Sequence, residues 1–216
     1  MKYMFFLDFD GTITVEDTCD MLLKRHGNQE SLDLNRRWER KEITTRECAR
    51  LLFRQMDLKP AALSQLVGEV ELDPGFKALL GFCEQRGYPV FILSDGYDQI
   101  IQGVMQRENI QIPFYCNNLV FDGDYTVSFP NHNPDCGQCG TCKRKLIEQL
   151  SSPENQGVYV GDGYSDFCAA ATCEVVFAKG KLWDYCSAKN IPAYPYQTFL
   201  DVLQWLRGGA LNEHPV

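Results

Sequence analysis

Asp8-Phe9-Asp10-Gly11-Thr12, Ser94-Asp95-Gly96 and Gly161-Asp162-Gly163-Tyr164-Ser165-Asp166 concentrate carboxylates, hydroxyls and glycines in short stretches. If these stretches meet, Asp8, Asp10, Asp162 and Asp166 form a cluster that repels itself unless a hard cation sits among its oxygens. Mg²⁺ fits best, because it takes few carboxylates and completes its shell with waters and substrate phosphate oxygens. Lys143 would supply further positive charge. Taken singly, each residue has a plainer reading: an Asp after a strand caps a helix or forms a turn, Ser94 is a turn residue, and Lys143 is solvated. Their occurrence together is what points to chemistry.

The elements around these stretches would bring them together. Residues 3 to 7 are a short apolar run ending at Asp8, which suits a buried strand. From Glu16 to Val70 the pattern is helical, with helices over Cys19 to Arg25, Leu32 to Arg40, Thr45 to Gln55 and Pro60 to Val70. After Asp73-Pro74-Gly75 helices and strands alternate: helix Phe76 to Arg86, strand Tyr88 to Leu93, helix Tyr97 to Glu108. A hairpin follows (Tyr115 to Phe121, Tyr125 to Phe129), then helix Lys143 to Leu150, strand Gly157 to Val160, helix Ser165 to Ala171, strand Glu174 to Ala178 and two further helical stretches. This alternation predicts an α/β fold with a Rossmann-like parallel sheet and a small inserted helical cap. Residues 1–14 and 74–207 form the core, 15–73 the cap and 208–216 a flexible tail. Ligands of such sheets bind beyond the carboxyl ends of the strands, where the three polar stretches fall.

Composition narrows the possibilities. The 216 residues are 44% hydrophobic and 23% charged, ordinary for a globular chain. Lys and Arg number 21 against 29 Asp and Glu, a formal charge of -8, which disfavours nucleic acid as a partner. An anionic ligand must then be held by local groups or a metal. The first carboxylate comes too early for a signal-peptide core, and no run approaches the ~20 apolar residues of a membrane span. A cytoplasmic protein without a membrane partner is expected, with most of its ten cysteines as buried thiols.

Asp8-x-Asp10-Gly11-Thr12, Ser94, Lys143 and Gly161-Asp162-Gly163-x-x-Asp166, in this order, resemble the four motifs of the haloacid dehalogenase superfamily of aspartyl phosphatases. The helical segment resembles the small cap of the phosphoserine phosphatase branch. Within that branch the chain most resembles the 2-hydroxy-3-keto-5-methylthiopentenyl-1-phosphate phosphatases of methionine salvage through Cys136-Gly-Gln-Cys139-Gly-Thr-Cys142-Lys143, a stretch similar to ones in the related phosphocholine/phosphoethanolamine and thiamine monophosphate phosphatases. The resemblance implies a phosphatase of a small phosphorylated metabolite. Asp8 would be the nucleophile and Asp10 the general acid and base, while Asp8, the Asp10 backbone carbonyl and Asp162 hold Mg²⁺. Ser94 and Lys143 would bind the phosphoryl group, and Asp166 would orient Lys143 or a metal-bound water. Substrate contacts would come from Gly11, Thr12, Asp17, Ser94, Asp95, Gly96 and Lys143. Phosphotransfer to another alcohol would use the same residues, and the chain would be a monomer or homodimer.

The departures from that branch bear on substrate. Asp17 stands where phosphoserine phosphatases use a Glu for the substrate amine, and Arg46 and Arg50 are the nearest candidates for their cap arginine. Asp95-Gly96 replaces the usual Gly-Gly and adds a carboxylate. Trp38, Phe53 and Met56 would line an apolar pocket or pack as core. His132, Cys136, Cys139 and Cys142 have the ligand types of a structural Zn²⁺ site; a reversible disulfide and plain packing thiols are the alternatives. A non-catalytic metal or redox module built on these cysteines is the competing class of function.

Overall fold

A computed structural model describes residues 2–208; most of the tail expected from Gly208 onward lies outside the described residues. β1 (Lys2–Leu7) is buried from Met4 onward. Phe5 and Leu7 enter one apolar cluster, and Met4 and Phe6 enter another on the opposite face. A strand covered on both faces reads as an unbroken apolar run, which is what residues 3 to 7 show.

α1 (Thr18–His26), α2 (Gln29–Glu39), α3 (Thr45–Gln55) and α4 (Pro60–Glu69) follow, then α5 (Phe76–Arg86), β2 (Val90–Tyr97) and α6 (Asp98–Arg107). The chain continues through β3 (Phe114–Asp122), β4 (Asp124–Ser128), α7 (Lys143–Leu150), β5 (Asn155–Gly161), α8 (Phe167–Ala170), β6 (Val175–Ala178), α9 (Gly180–Lys189), β7 (Tyr194–Pro195) and α10 (Phe199–Leu206). The sheet order is β4-β3-β2-β1-β5-β6-β7, parallel throughout except for the β3–β4 hairpin. The expected α/β class and parallel sheet are present. Among the described residues no helix is long and apolar enough to cross a membrane.

The helical insertion is stitched by its own caps. Asp17 accepts the Asp20 N–H at the start of α1, Asn28 accepts the Ser31 N–H at α2, and Thr44 and Glu47 close a capping box on α3. Its two connections to the sheet run side by side: Val15 N–H donates to the Glu71 carbonyl at 2.9 Å and Asp73 N–H to that of Ile13 at 2.9 Å. Phe53 from α3 packs edge-on against Tyr97 at the end of β2, with ring centroids 4.8 Å apart.

The structure corrects several expected boundaries. β2 does not stop at Leu93; it runs to Tyr97 with a register break between those residues, so Ser94-Asp95-Gly96 is an irregular part of the strand. The Ser94 hydroxyl accepts the Gly96 N–H at 2.8 Å and so takes a backbone group out of the regular ladder. The helix expected over Ser165 to Ala171 is a 3₁₀ turn (Tyr164–Asp166) followed by the short α8. The edge strand β7, which ends in a proline as edge strands tolerate, carried no signal in its short sequence. Cys168 is exposed, unlike the buried thiols expected.

Candidate active site

Lys143 opens α7 and is only 2% exposed. A cation at a helix N-terminus is unfavourable, so it must be held by anions. Its ammonium donates to Asp8 Oδ1 at 2.5 Å and to Asp166 Oδ1 at 2.6 Å. Asp8 stands just past β1, where its N–H donates to the Val160 carbonyl of β5. Asp166 is fully buried and saturated. Its Oδ2 accepts the Asp162 and Gly163 N–H groups at 2.9 Å each, and its Oδ1 also accepts the Tyr159 hydroxyl at 2.5 Å.

Asp10 is held apart from this group. Its Oδ1 accepts the Thr18 N–H at 3.1 Å and the Thr18 hydroxyl at 2.5 Å, and its Oδ2 accepts the Ser94 hydroxyl at 3.2 Å. The carboxylate is therefore clamped between the first turn of the helical insertion and the irregular segment of β2. Two glycines make this convergence possible. Gly11 has φ 73, and a Cβ there would lie 2.7 Å from Asp162 Oδ2; a Cβ at Gly96 would lie 2.4 Å from Asp10 Oδ2. Thr12 donates to Asp162 Oδ1 at 2.9 Å, and its hydroxyl also lies 3.3 Å from that of Tyr196.

Charge is crowded here. Burial, and then the neighbouring Asp166, push the Asp8 carboxyl well above the ordinary range, against the pull of Lys143. Burial and then Asp166 raise Asp162 to about 6. Burial also raises Asp10, opposed by the Thr18 hydrogen bonds. For Lys143 burial opposes charge, yet Asp166 and Asp8 hold it above the ordinary lysine range. Carboxylate oxygens of Asp8, Asp162 and Asp166 lie within 4.8 Å of one another, an all-oxygen donor set of the kind a hard dication takes and whose repulsion it would relieve. Since Asp166 is already spent on Lys143, Tyr159 and two N–H groups, Asp8 and Asp162 are the side chains left to hold such an ion.

The structure thus gathers Asp8, Asp10, Ser94, Lys143, Asp162 and Asp166, with Gly11, Thr12 and Gly96 packed against them. Asp17 caps α1 and shares a second cluster with Asp10 and Cys19, where burial and then Asp10 raise its carboxyl to about 7. Asp95 turns its carboxylate to the Thr141 N–H at 2.7 Å. Arg46 donates to the Gly137 carbonyl at 3.1 Å, and the Arg50 guanidinium lies 5.1 Å from the Phe129 ring centroid. Phe53 and Met56 are core; Trp38 donates to the Thr45 hydroxyl at 3.0 Å and sets its ring edge-on to Tyr164.

Among the described residues, His132, Cys136, Cys139 and Cys142 are not one of the groups whose ligand atoms lie within 4.8 Å of one another, and the ten cysteines are free in this structure. The loop has other partners: His132 Nδ1 lies 2.7 Å from the Phe129 carbonyl, and Cys142 N–H donates to the Asn131 carbonyl at 2.8 Å.

Sequence reasoning missed Thr18, Tyr159, Asn117 and Thr141. Tyr159 did carry a signal: a tyrosine inside the apolar run Val158 to Val160 needs a partner for its hydroxyl, and period 2 places it on the face of Gly161. Thr18 is a neutral residue eight positions from its partner Asp10, and Asn117 and Thr141 are neutral polar residues whose partners are distant in sequence.

Comparison with known proteins places this geometry. The sequence model of the family described as "Putative Phosphatase" matches residues 3–214. The chain is 30% identical over 216 residues to the 2-hydroxy-3-keto-5-methylthiopentenyl-1-phosphate phosphatase of Bacillus cereus (strain G9842), covering 96% of this chain and 97% of that protein. It is 29% identical over 211 residues to the protein of the same name from Bacillus cereus (strain B4264), covering 94% of each. A substrate-bound phosphoserine phosphatase shares the fold, with a TM-score of 0.72 at 18% identity, covering 95% of this chain and 98% of that one.

Proposed function

The chain belongs to this phosphatase family of the haloacid dehalogenase superfamily, and on that premise we propose that it hydrolyses a small phosphate monoester with Mg²⁺ through a phosphorylated Asp8. The observation that carries the reading is the buried Asp8–Lys143–Asp166 group beside Asp162, with Asp10 clamped separately by Thr18 and Ser94.

In the first step an Asp8 carboxylate oxygen bonds to phosphorus as the ester P–O bond breaks. Asp10, whose burial favours its protonated form, gives its proton to the departing alkoxide. In the second step water attacks phosphorus, Asp10 takes a proton from that water, and the bond to Asp8 breaks to release phosphate. Lys143 and Ser94 stabilise the phosphoryl oxygens, while the Gly11 and Gly96 N–H groups are already given to the Thr14 and Ser94 hydroxyls. Asp166 keeps the ammonium fixed between two carboxylates, and Tyr159 keeps Asp166 fixed. Mg²⁺ held by Asp8, Asp162 and the Asp10 carbonyl would supply the charge neutralisation that lets two anions meet.

Residues 15–73, which carry α1 to α4, are the cap in this reading, with residues 1–14 and 74–207 as the core. Its Trp38 meets Tyr164 of the loop after β5 ring edge to face, an aromatic pair that would suit an apolar substrate tail. The names of the curated relatives favour the methionine-salvage enol phosphate over phosphoserine, as does the engagement of Arg46 with the cysteine loop. The test is phosphate release from that enol phosphate, phosphoserine, phosphocholine, pyridoxal phosphate and thiamine monophosphate, with and without Mg²⁺ and added alcohol acceptors. Mg²⁺-dependent release with preference for the enol phosphate supports the reading. Transfer to an acceptor in place of release would make the protein a phosphotransferase.

A further inference from the structure

We propose that Asp95, Asn117 and Thr141 form a buried latch that positions Lys143 against Ser94, so that Asp95 is a positioning residue and not a substrate ligand. Asp95 Oδ1 accepts the Thr141 N–H at 2.7 Å and lies 3.3 Å from Asn117 Nδ2. The same Asn117 amide donates to the Asp95 carbonyl at 2.6 Å, and Asn117 Oδ1 accepts the Thr141 hydroxyl at 3.1 Å. Asn117 and Thr141 are completely buried, so the bond between them has no competing water, while Asp95 is half-buried. A Cβ at Gly140 would lie 2.6 Å from Asn117 Oδ1 and 2.7 Å from Asp95 Oδ1; the glycine inside the cysteine motif is what admits the loop to the latch.

The placement gives the latch its role. Asp95 directly follows Ser94 on β2, Asn117 pairs with Tyr97 across from β3, and Thr141 lies two residues before Lys143. One set of hydrogen bonds therefore fixes the spacing between the two side chains that hold the phosphoryl group in the proposed reaction. A second tie, Asn131 Nδ2 to the Cys116 carbonyl at 3.1 Å, secures the loop to β3 from its other end. The loop also bridges to the helical insertion, since the Gly137 and Gln138 carbonyls accept from Arg46 and from the Thr45 N–H. Asp95, the carboxylate that directly follows Ser94, thus holds the lysine loop.

This inference rests on the phosphatase reading for its kinetic consequence but not for its structural one, and both are measured. Amide hydrogen exchange resolved to the 137–144 segment, and kcat and KM for phosphate release, are compared in wild type, Asp95→Ala, Asp95→Asn and Thr141→Val. Asp95→Ala is expected to speed exchange of the segment more than about tenfold with β1 and β5 unchanged, and to lower kcat by about 10²-fold, the cost of misplacing a catalytic group by about 1 Å. Asp95→Asn, which keeps an acceptor oxygen, restores kcat to within a few-fold, and Thr141→Val falls between. Unchanged exchange in both Asp95→Ala and Thr141→Val overturns the latch, as does a defect confined to KM that Asp95→Asn does not rescue, which marks a substrate ligand. If Asp95→Ala does not fold, Thr141→Val decides on the same two readouts. If wild type releases no phosphate, the phosphatase reading fails and the exchange data alone decide the latch.

Discussion

Gly96→Ala isolates the placement of Asp10 from its chemistry. The new methyl would sit 2.4 Å from Asp10 Oδ2 and 3.0 Å from the Ser94 hydroxyl, whereas ordinary contact begins near 3.4 Å. The Asp10 carboxylate must therefore retreat by about 1 Å, and it cannot swing freely because Thr18 holds its other oxygen through two hydrogen bonds. Misplacing an acid–base group by that distance costs about 10²-fold in kcat, or roughly 2.7 kcal/mol of barrier. The backbone at Gly96 is not left-handed, so alanine adds no φ strain there. Steady-state phosphate release, with circular dichroism to check folding, is the assay. Gly81→Ala on α5 is the control, because a Cβ there meets nothing within 4 Å; it should raise stability by up to about 1 kcal/mol and leave kcat alone. A Gly96→Ala protein that keeps kcat within about threefold of wild type would refute the assignment of proton transfer to Asp10.

Removing the Tyr159 hydroxyl with Tyr159→Phe takes one hydrogen bond from a buried carboxylate, worth about 1.5–3 kcal/mol, and thermal denaturation should show Tm lower by roughly 5 °C. Burial pushes the Cys139 thiol up to about 12, with Asp95 and Cys136 adding to it. Peptide-resolved iodoacetamide labelling at pH 8 should therefore find Cys139 at least 10²-fold slower than free cysteine, and labelling at the free rate would contradict its burial. Chelation should abolish phosphate release, and Mg²⁺ at about 100 times its Kd should stabilise the fold by about 2.7 kcal/mol in a thermal-shift titration.

Much of the site was readable because its parts are local. Asp8, Asp10, Asp162 and Asp166 each follow an apolar strand within a few residues, and the alternation of strand and helix dictates that such strand ends meet on one edge of a parallel sheet. Lys143 was readable only through its order in the chain and the resemblance, since a lysine after a loop is ordinarily solvated. Boundaries failed where side chains replaced backbone partners: Ser94 takes the Gly96 N–H, so β2 runs past the point where its apolar pattern ends. The cysteine loop makes contacts that its spacing does not announce. The spacing of Cys136, Cys139 and Cys142 suggests ligands, whereas Gly140 and Thr141 between them make the decisive contacts with Asp95 and Asn117, residues distant in sequence. Asp95 itself looked like a pocket carboxylate because nothing local reveals that a backbone N–H from 46 residues away will meet it.

The central claim is that the phosphoryl group passes through Asp8. Rapid acid quench during turnover of a radiolabelled ester, in the presence of Mg²⁺, tests it directly. Acid-stable, hydroxylamine-labile label is expected on the peptide containing Asp8, and none in Asp8→Asn. Phosphate release by the wild type with no label on that peptide at any quench time, together with sustained turnover by Asp8→Asn, would contradict it.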